Sequence, residues 1–163
     1  MVERFELVVS GSDFVDVGAA SEFEGRSRRI VVAGRSVAVF SHGGRFFALD
    51  ANCYHSAGRL EEVGPAAPAG NLSQHAGDIE DVNGEPCVRC PLHKYIISLS
   101  SGHSFYEAVA VHRRPAGPPI IESLGFKSKG PRQRCHRVEV RHGRLLIQLG
   151  GGPPLDSDRY AFL

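Results

Sequence analysis

At 163 residues the chain suits a single domain with room for a real core. Nineteen Lys and Arg against eighteen Asp and Glu leave a formal charge of +1, so no field favours nucleic acid or an anionic membrane. No apolar run reaches the ~18 residues of a membrane helix. The opening MVERFELVVSGSDFVDV has the pattern of neither a signal nor a transit peptide, which makes the cytosol the expected compartment.

In chain order, RFELVV (4–9) alternates, RIVVAG (29–34) is β-branched, and SVAVF–SHGG–RFFALD (36–50) reads as a hairpin closed at Gly43-Gly44. EEVGPAAPAGNLSQHAGD (61–78), rich in Pro, Ala and Gly, has little to bury and reads as an inserted loop. A strand bearing Cys87 feeds the turn CPLH, and IISLSSG (96–102) is a strand-like run ending in Gly. HRRPAGPPIIESLGFKSKGPRQR (112–134), with four prolines and six Lys or Arg, reads as a second inserted surface loop around an apolar patch, Ile120–Ile121. HRVEV–RHG–RLLIQL (136–149) reads as a hairpin turning at His142-Gly143, and 150–163 as an extended arm docking through Tyr160 and Phe162. Helical periodicity is weak throughout. Strand-sized runs punctuated by Gly and Pro predict an all-β sandwich or barrel.

Four cysteines sit among eight histidines. Without a secretion signal, the even cysteine count points to metal before disulfides. NCYHSAGRL (52–60) supplies Cys53-x-His55, and CPLH supplies Cys90-x-x-His93. Each pair lies on a turn beside a strand, so two loops can meet tip to tip. Thiolate and imidazole suit zinc and iron–sulfur clusters alike. Cys87-x-x-Cys90 keeps a zinc knuckle open. Against it, a single residue between Cys53 and His55 does not readily let both side chains wrap one small ion. Mixed ligation of a [2Fe–2S] cluster, with two thiolates on one iron and two imidazoles on the other, accommodates C-x-H with C-x-x-H.

CYH and CPLH resemble the paired motif of Rieske proteins, C-x-H followed by C-P-x-H. The resemblance runs through Leu60, IISLSSG, GDIEDVNGEPCVRCPLHKY (77–95) and SKGPRQRCHRVEV (128–140), covering about 28–149. It is nearest in kind to the small stand-alone Rieske domain-containing proteins of animals. It implies the Rieske fold: antiparallel β-sheets in a sandwich- or barrel-like base, with a small cluster-binding subdomain at about 51–103 of one 1–163 domain. It implies one [2Fe–2S] cluster held by Cys53, His55, Cys90 and His93.

With the iron coordination filled by sulfide, Cys and His, substrate has no open position, so one-electron transfer rather than catalysis is expected. The implied partners are a flavin-dependent reductase and a terminal oxygenase or oxidase. They would dock transiently near His55 and His93, with Tyr54, Ser56, Leu92 and Lys94 at the rim, on a monomeric carrier. A structural zinc module and a cluster-based redox sensor are the alternatives. The chain has no dinucleotide fingerprint, P-loop or two-His-one-carboxylate segment for a second centre.

The chain also departs from the family pattern. Thirty-four residues separate His55 from Cys90, more than is usual, with 61–78 accounting for the excess at small entropic cost. Ala57 and Lys94 stand where the family's loops often carry Gly. Gly58 and Leu92 occupy the positions that carry a cluster-loop disulfide in respiratory and photosynthetic relatives, so that bridge cannot form here. Tyr95 and Ile97 replace the Ser and Tyr whose hydroxyls reach cluster sulfur there. Fewer such bonds imply a potential near the low end of the range, roughly −150 mV, and exposed histidine ligands imply one that falls as pH rises. Cys87 and Cys135 are expected to be structural thiols. His42 and His142 are expected in turns, and His75, His103, His112 and His136 on the surface.

Overall fold

The protein is described by a computed structural model over residues 13–62 and 79–163; the strand expected at 4–9, His75 and most of 61–78 lie outside the described residues. A six-stranded antiparallel sheet is built from β1 (Val15–Ala19), β2 (Ser27–Val32), β3 (Arg35–His42), β4 (Arg45–Asp50), β10 (Cys135–Arg141) and β11 (Arg144–Gln148). Its strand order is β1-β11-β10-β4-β3-β2. A five-stranded sheet contains β5 (Glu80–Val82), β6 (Glu85–Arg89), β7 (Ile96–Ser98), β8 (His103–His112) and β9 (Ile120–Pro131), in sequential order. Among the described residues no helix is long and apolar enough to cross a membrane.

The run SVAVF is apolar on successive residues because β3 is buried on both faces. Ala38 and Phe40 point into one core with Phe47, Leu49, Val88 and Ile97, while Val37 and Val39 point into another with Phe23, Val32, Leu145 and Ile147. The first core joins the two sheets and includes Cys53, Cys90, Tyr54 and Leu60, so the two Cys–His loops rest on packed hydrocarbon. Fully burying a side chain such as Leu49 or Ile97 contributes roughly 1.5–3 kcal/mol. Both expected hairpins are present: β3 pairs with β4 from Val37↔Asp50 to His42↔Arg45, and β10 with β11 from Arg137↔Gln148 to Arg141↔Arg144.

Three expectations are corrected. The 112–134 stretch is not a loop: Ile120–Pro131 is β9, paired along β8 from His112↔Ile120 to His103↔Pro131, and only 113–119 connects the strands. Val109, Val111, Ile120, Ile121 and Leu124 are all about half exposed or more, so the outer part of this ribbon has no buried face to impose alternation on its sequence.

Of the two aromatics expected to dock the tail, Phe162 is 70% exposed, while Tyr160 is half-buried and its carbonyl accepts the Asn52 side-chain N–H at 2.9 Å. The tail's short 3-10 turn, Asp156–Tyr160, is held by Ser157, whose hydroxyl donates to Asp50 Oδ2 at 2.6 Å, and by Asp158, which pairs with Arg35 and Arg134. The surface it meets is ionic, so polar residues do the anchoring.

His136 is buried rather than exposed. The Gly150 N–H donates to its Nδ1 at 2.9 Å, which fixes the other nitrogen as the donor to Asp50 Oδ1, also at 2.9 Å.

Candidate metal centre

Cys53 comes three residues after the end of β4, and Cys90 directly after the end of β6. The two loops fold alike although their histidines are spaced differently. In each, the residue four after the cysteine returns its N–H to the cysteine carbonyl: Ala57 to Cys53 at 2.9 Å, Lys94 to Cys90 at 2.8 Å. The cysteine N–H then donates to the carbonyl of the next residue, Gly58 or Tyr95, at 2.8 Å in both loops. Closing this turn puts Ala57 at φ 59° and Lys94 at φ 61°, the left-handed region that Gly tolerates best. Ala57→Gly and Lys94→Gly should each therefore raise stability by about 0.5–1 kcal/mol, read from thermal unfolding. A loss of stability in both would refute this account of the strain.

The quartet divides by element. Both thiols are buried and close enough to share a hydrogen bond, while both imidazoles are exposed, their ring centroids 5.1 Å apart and near-perpendicular. The bond to Cys53 draws the Cys90 thiol down to about 6, and the same bond, with burial, pushes Cys53 up. One negative charge is thus accepted readily and a second is resisted unless a cation compensates it. Backbone N–H groups of His55 and Ser56 bond the Cys53 sulfur, and those of Leu92 and His93 the Cys90 sulfur. Such donors favour thiolate, and thiolates are what a metal centre needs. Among the described residues no group of three Cys, His, Asp or Glu is placed to hold one ion. A sulfur pair beside a nitrogen pair is the donor set that mixed ligation of a [2Fe–2S] cluster uses.

Gly58 is required by close approach. A Cβ there would stand 2.4 Å from Cys90 Sγ and 3.2 Å from Leu92 Cγ. The two positions that carry a disulfide in other Rieske proteins do face one another here, filled by a hydrogen and an isobutyl group.

Of the expected rim residues, Ser56, Leu92 and Lys94 are exposed, but Tyr54 is buried with its hydroxyl 2.6 Å from Ser104 Oγ. Ile97, fully buried, brings no hydroxyl. Tyr95 acts through its ring, stacked on His55 with centroids 4.0 Å apart at 20°. Gln133 escapes sequence reasoning altogether. Buried, it donates to the carbonyls of Asp50 and Asn52, both at 2.8 Å, and accepts the Tyr54 N–H at 2.9 Å, pinning the first loop along its rising limb. No local pattern signals a residue that acts 79 positions away.

Cys87 packs in a satellite core with Val82, Ile96 and Phe105, and burial raises its thiol to about 12. Cys135 is raised likewise to about 12 by burial. Cys87 thus packs in a different cluster from Cys90, and the Cys135 thiol faces the Leu99 carbonyl at 3.9 Å.

Comparison with known proteins gives a consistent picture. The profile of the family described as soluble Rieske-type ferredoxins matches residues 15–151. A human Rieske domain-containing protein is 39% identical over 132 residues, spanning 80% of this chain and 71% of the relative. Among solved structures, the ferredoxin of carbazole 1,9a-dioxygenase from Nocardioides aromaticivorans IC177 superposes with a TM-score of 0.52 at 18% identity. That match covers 85% of this chain and all of the other. A protein described as the small subunit of a putative NADPH nitrite reductase superposes with a TM-score of 0.51 at 17% identity, over 83% of this chain and 97% of the other. At these identities the structural likenesses speak for the fold. The match in sequence, with two loops that bring Cys and His pairs together on the Rieske fold, shows that the chain belongs to the soluble Rieske-type ferredoxins, a family that implies an iron–sulfur cluster and an electron-transfer role.

Proposed function

We propose that the chain carries single electrons on a [2Fe–2S] cluster whose one iron is held by Cys53 and Cys90 and the other by His55 and His93. The single observation that carries this reading is the division of the quartet into a buried sulfur pair and an exposed nitrogen pair. A bound cluster supplies one-electron chemistry. The residues supply the rest: backbone N–H groups hold the thiolates, Tyr95 and the packed core beneath exclude water, and the imidazoles of His55 and His93 form the outward edge.

The carrier serves protein partners that meet it at that edge. A relative of the same fold is solved as an oxidized ferredoxin in complex with a reduced oxygenase of carbazole 1,9a-dioxygenase, which supports an oxygenase-type acceptor. A structural zinc ion is the weaker reading, because no three donors converge among the described residues.

Protein prepared without oxygen should be brown, carry two iron and two acid-labile sulfide per chain, and lose its colour reversibly on reduction. A colourless zinc protein would overturn the assignment. The midpoint should lie at roughly −150 mV, because Ile97 offers no hydroxyl and Tyr95 meets His55 with its ring face. A potentiometric value above roughly +100 mV would refute the argument from missing hydroxyls.

A further inference from the structure

A groove of about 270 Å³ opens beside His93, between the second metal loop and the outward face of β8 and β9. Tyr95, Tyr106 and Phe126 line it, with Lys94 and Lys129 among its charged groups. The Lys129 ammonium lies 4.8 Å from the Tyr95 ring centroid and 5.7 Å from that of Tyr106, so two aromatic faces hold it over the groove. Of the other charges lining it, Arg89 is offset by Glu80, while Glu107 keeps one negative charge against the two ammonium groups. Arg89 is bonded to Glu80 at 2.9 Å, and the Glu107 carboxylate accepts the Ser123 hydroxyl at 2.7 Å. Neither Lys94 nor Lys129 is paired with a carboxylate among the described residues. Ser56 and Leu92, exposed neighbours of His55 and His93 in the chain, are uncharged. The groove lining, Lys94 and Lys129 against Glu107 with Arg89 paired to Glu80, therefore carries a net positive charge.

We infer that this groove receives a carboxylate-bearing segment of a redox partner protein, seated between Lys94 and Lys129 against the tyrosine rings. The inference rests on the electron-carrier reading and adds the chemistry of the partner to it. Three physical points favour that occupant. The Lys129 ammonium on its aromatic floor attracts carboxylate and loses little hydration it was not already losing to the rings, and Lys94 lines the same groove. Lys129 is pre-positioned, so less side-chain entropy is lost on binding. The groove is also continuous with His93, so an anchor there brings the partner's own centre to the imidazole edge. Charge at this flank orients the encounter, and the exposed Leu92 adds apolar contact at the rim.

Two readouts on the oxidised and reduced holoprotein test it. Fluorescently labelled hexaglutamate, followed by anisotropy at low salt, should bind and be released by salt. Lys94→Glu with Lys129→Glu should weaken it about ten-fold. In stopped flow, the dithionite-reduced protein gives one electron to hexacyanoferrate(III) or to hexaamminecobalt(III). The same double reversal should slow the anionic oxidant about ten-fold and speed the cationic one.

The control is a second double reversal of equal charge, Arg45→Glu with Arg113→Glu, at the far end of β4 and the tip of the β8–β9 hairpin. It should change either rate no more than about two-fold. Lys129→Gln alone, on an exposed strand position, should give a smaller shift of the same sign and serves if the double variant folds poorly. Equal effects of the groove and remote reversals would overturn the inference, leaving only net charge. Tighter binding of hexathymidylate than of hexaglutamate would overturn it too, assigning the groove to phosphate. A preparation without iron would sink the carrier reading instead, and the anisotropy arm would still report on the groove.

Discussion

Asp50→Asn should destabilise the protein by about 3–5 kcal/mol at neutral pH, measured by chemical denaturation. Asp50 is fully buried, and its carboxylate accepts four hydrogen bonds: from Arg35 Nε at 2.6 Å, Arg35 Nη2 at 2.7 Å, His136 Nε2 at 2.9 Å and Ser157 Oγ at 2.6 Å. An amide of the same shape has one acceptor atom, and its NH2 must face donors. The substitution also removes half of the negative charge that Arg35 shares between Asp50 and Asp158. The damage should reach the metal centre, because the Asp50 carbonyl is one of the groups that Gln133 uses to pin the first loop. Faster loss of iron to a chelator should accompany the loss of stability.

The pH dependence separates this carboxylate from its neighbours. Burial pushes the Asp50 carboxyl up, but the bonds from Arg35, His136 and Ser157 outweigh burial and hold it below the ordinary range. A carboxyl depressed in the folded state stabilises fully above its unfolded value of about 3.9 and loses that contribution as pH falls through the folded value. Asp158, held down chiefly by Arg134, behaves in the same sense. Total acid sensitivity is therefore composite, whereas the gap between wild type and Asp50→Asn isolates one group. That gap should be constant from pH 5 to 7 and narrow below pH ~4. A gap that stays constant into acid would mean that the charge of Asp50 is not what the network uses.

How much of this was legible in the sequence depends on whether a feature is local. The meeting of Cys53 and His55 with Cys90 and His93 was legible because each pair sits on a turn beside a strand. The β3–β4 and β10–β11 hairpins were readable because their strands have a buried face. Asn83-Gly84, between β5 and β6, carries an equally clear turn signal, and Asn83 sits at φ 53° and Gly84 at φ 81°. The outer part of β8 and β9 left no such trace, since alternation records burial and both faces of that ribbon meet water. His136, Gln133 and Ser157 were illegible for a different reason: each is buried through a polar partner far along the chain, and periodicity is blind to that. Glycine at 58 could be aligned with a family position, but the approach of Cys90 Sγ that demands it exists only in three dimensions.

Replacing ligands one at a time should separate the cysteines into two classes. Cys53→Ser, Cys90→Ser, His55→Ala and His93→Ala should each leave protein with little or no iron and no visible absorption. Cys87→Ser and Cys135→Ser should retain both and lose only about 1–2 kcal/mol of stability. The difference follows from the surroundings of the sulfurs. Cys53 and Cys90 bond each other and receive backbone N–H groups, so their site accepts anionic sulfur. Cys87 and Cys135 are raised to about 12 by burial and stay protonated at neutral pH, poor ligands by comparison. The histidine variants are the more informative pair, because His55 and His93 are exposed and their removal leaves the core intact. Loss of iron from a variant with an unchanged unfolding transition of the apo form would assign those imidazoles to the metal rather than to the fold. Retention of full iron by either histidine variant would break the division of sulfur and nitrogen between two irons, on which the electron-carrying edge depends.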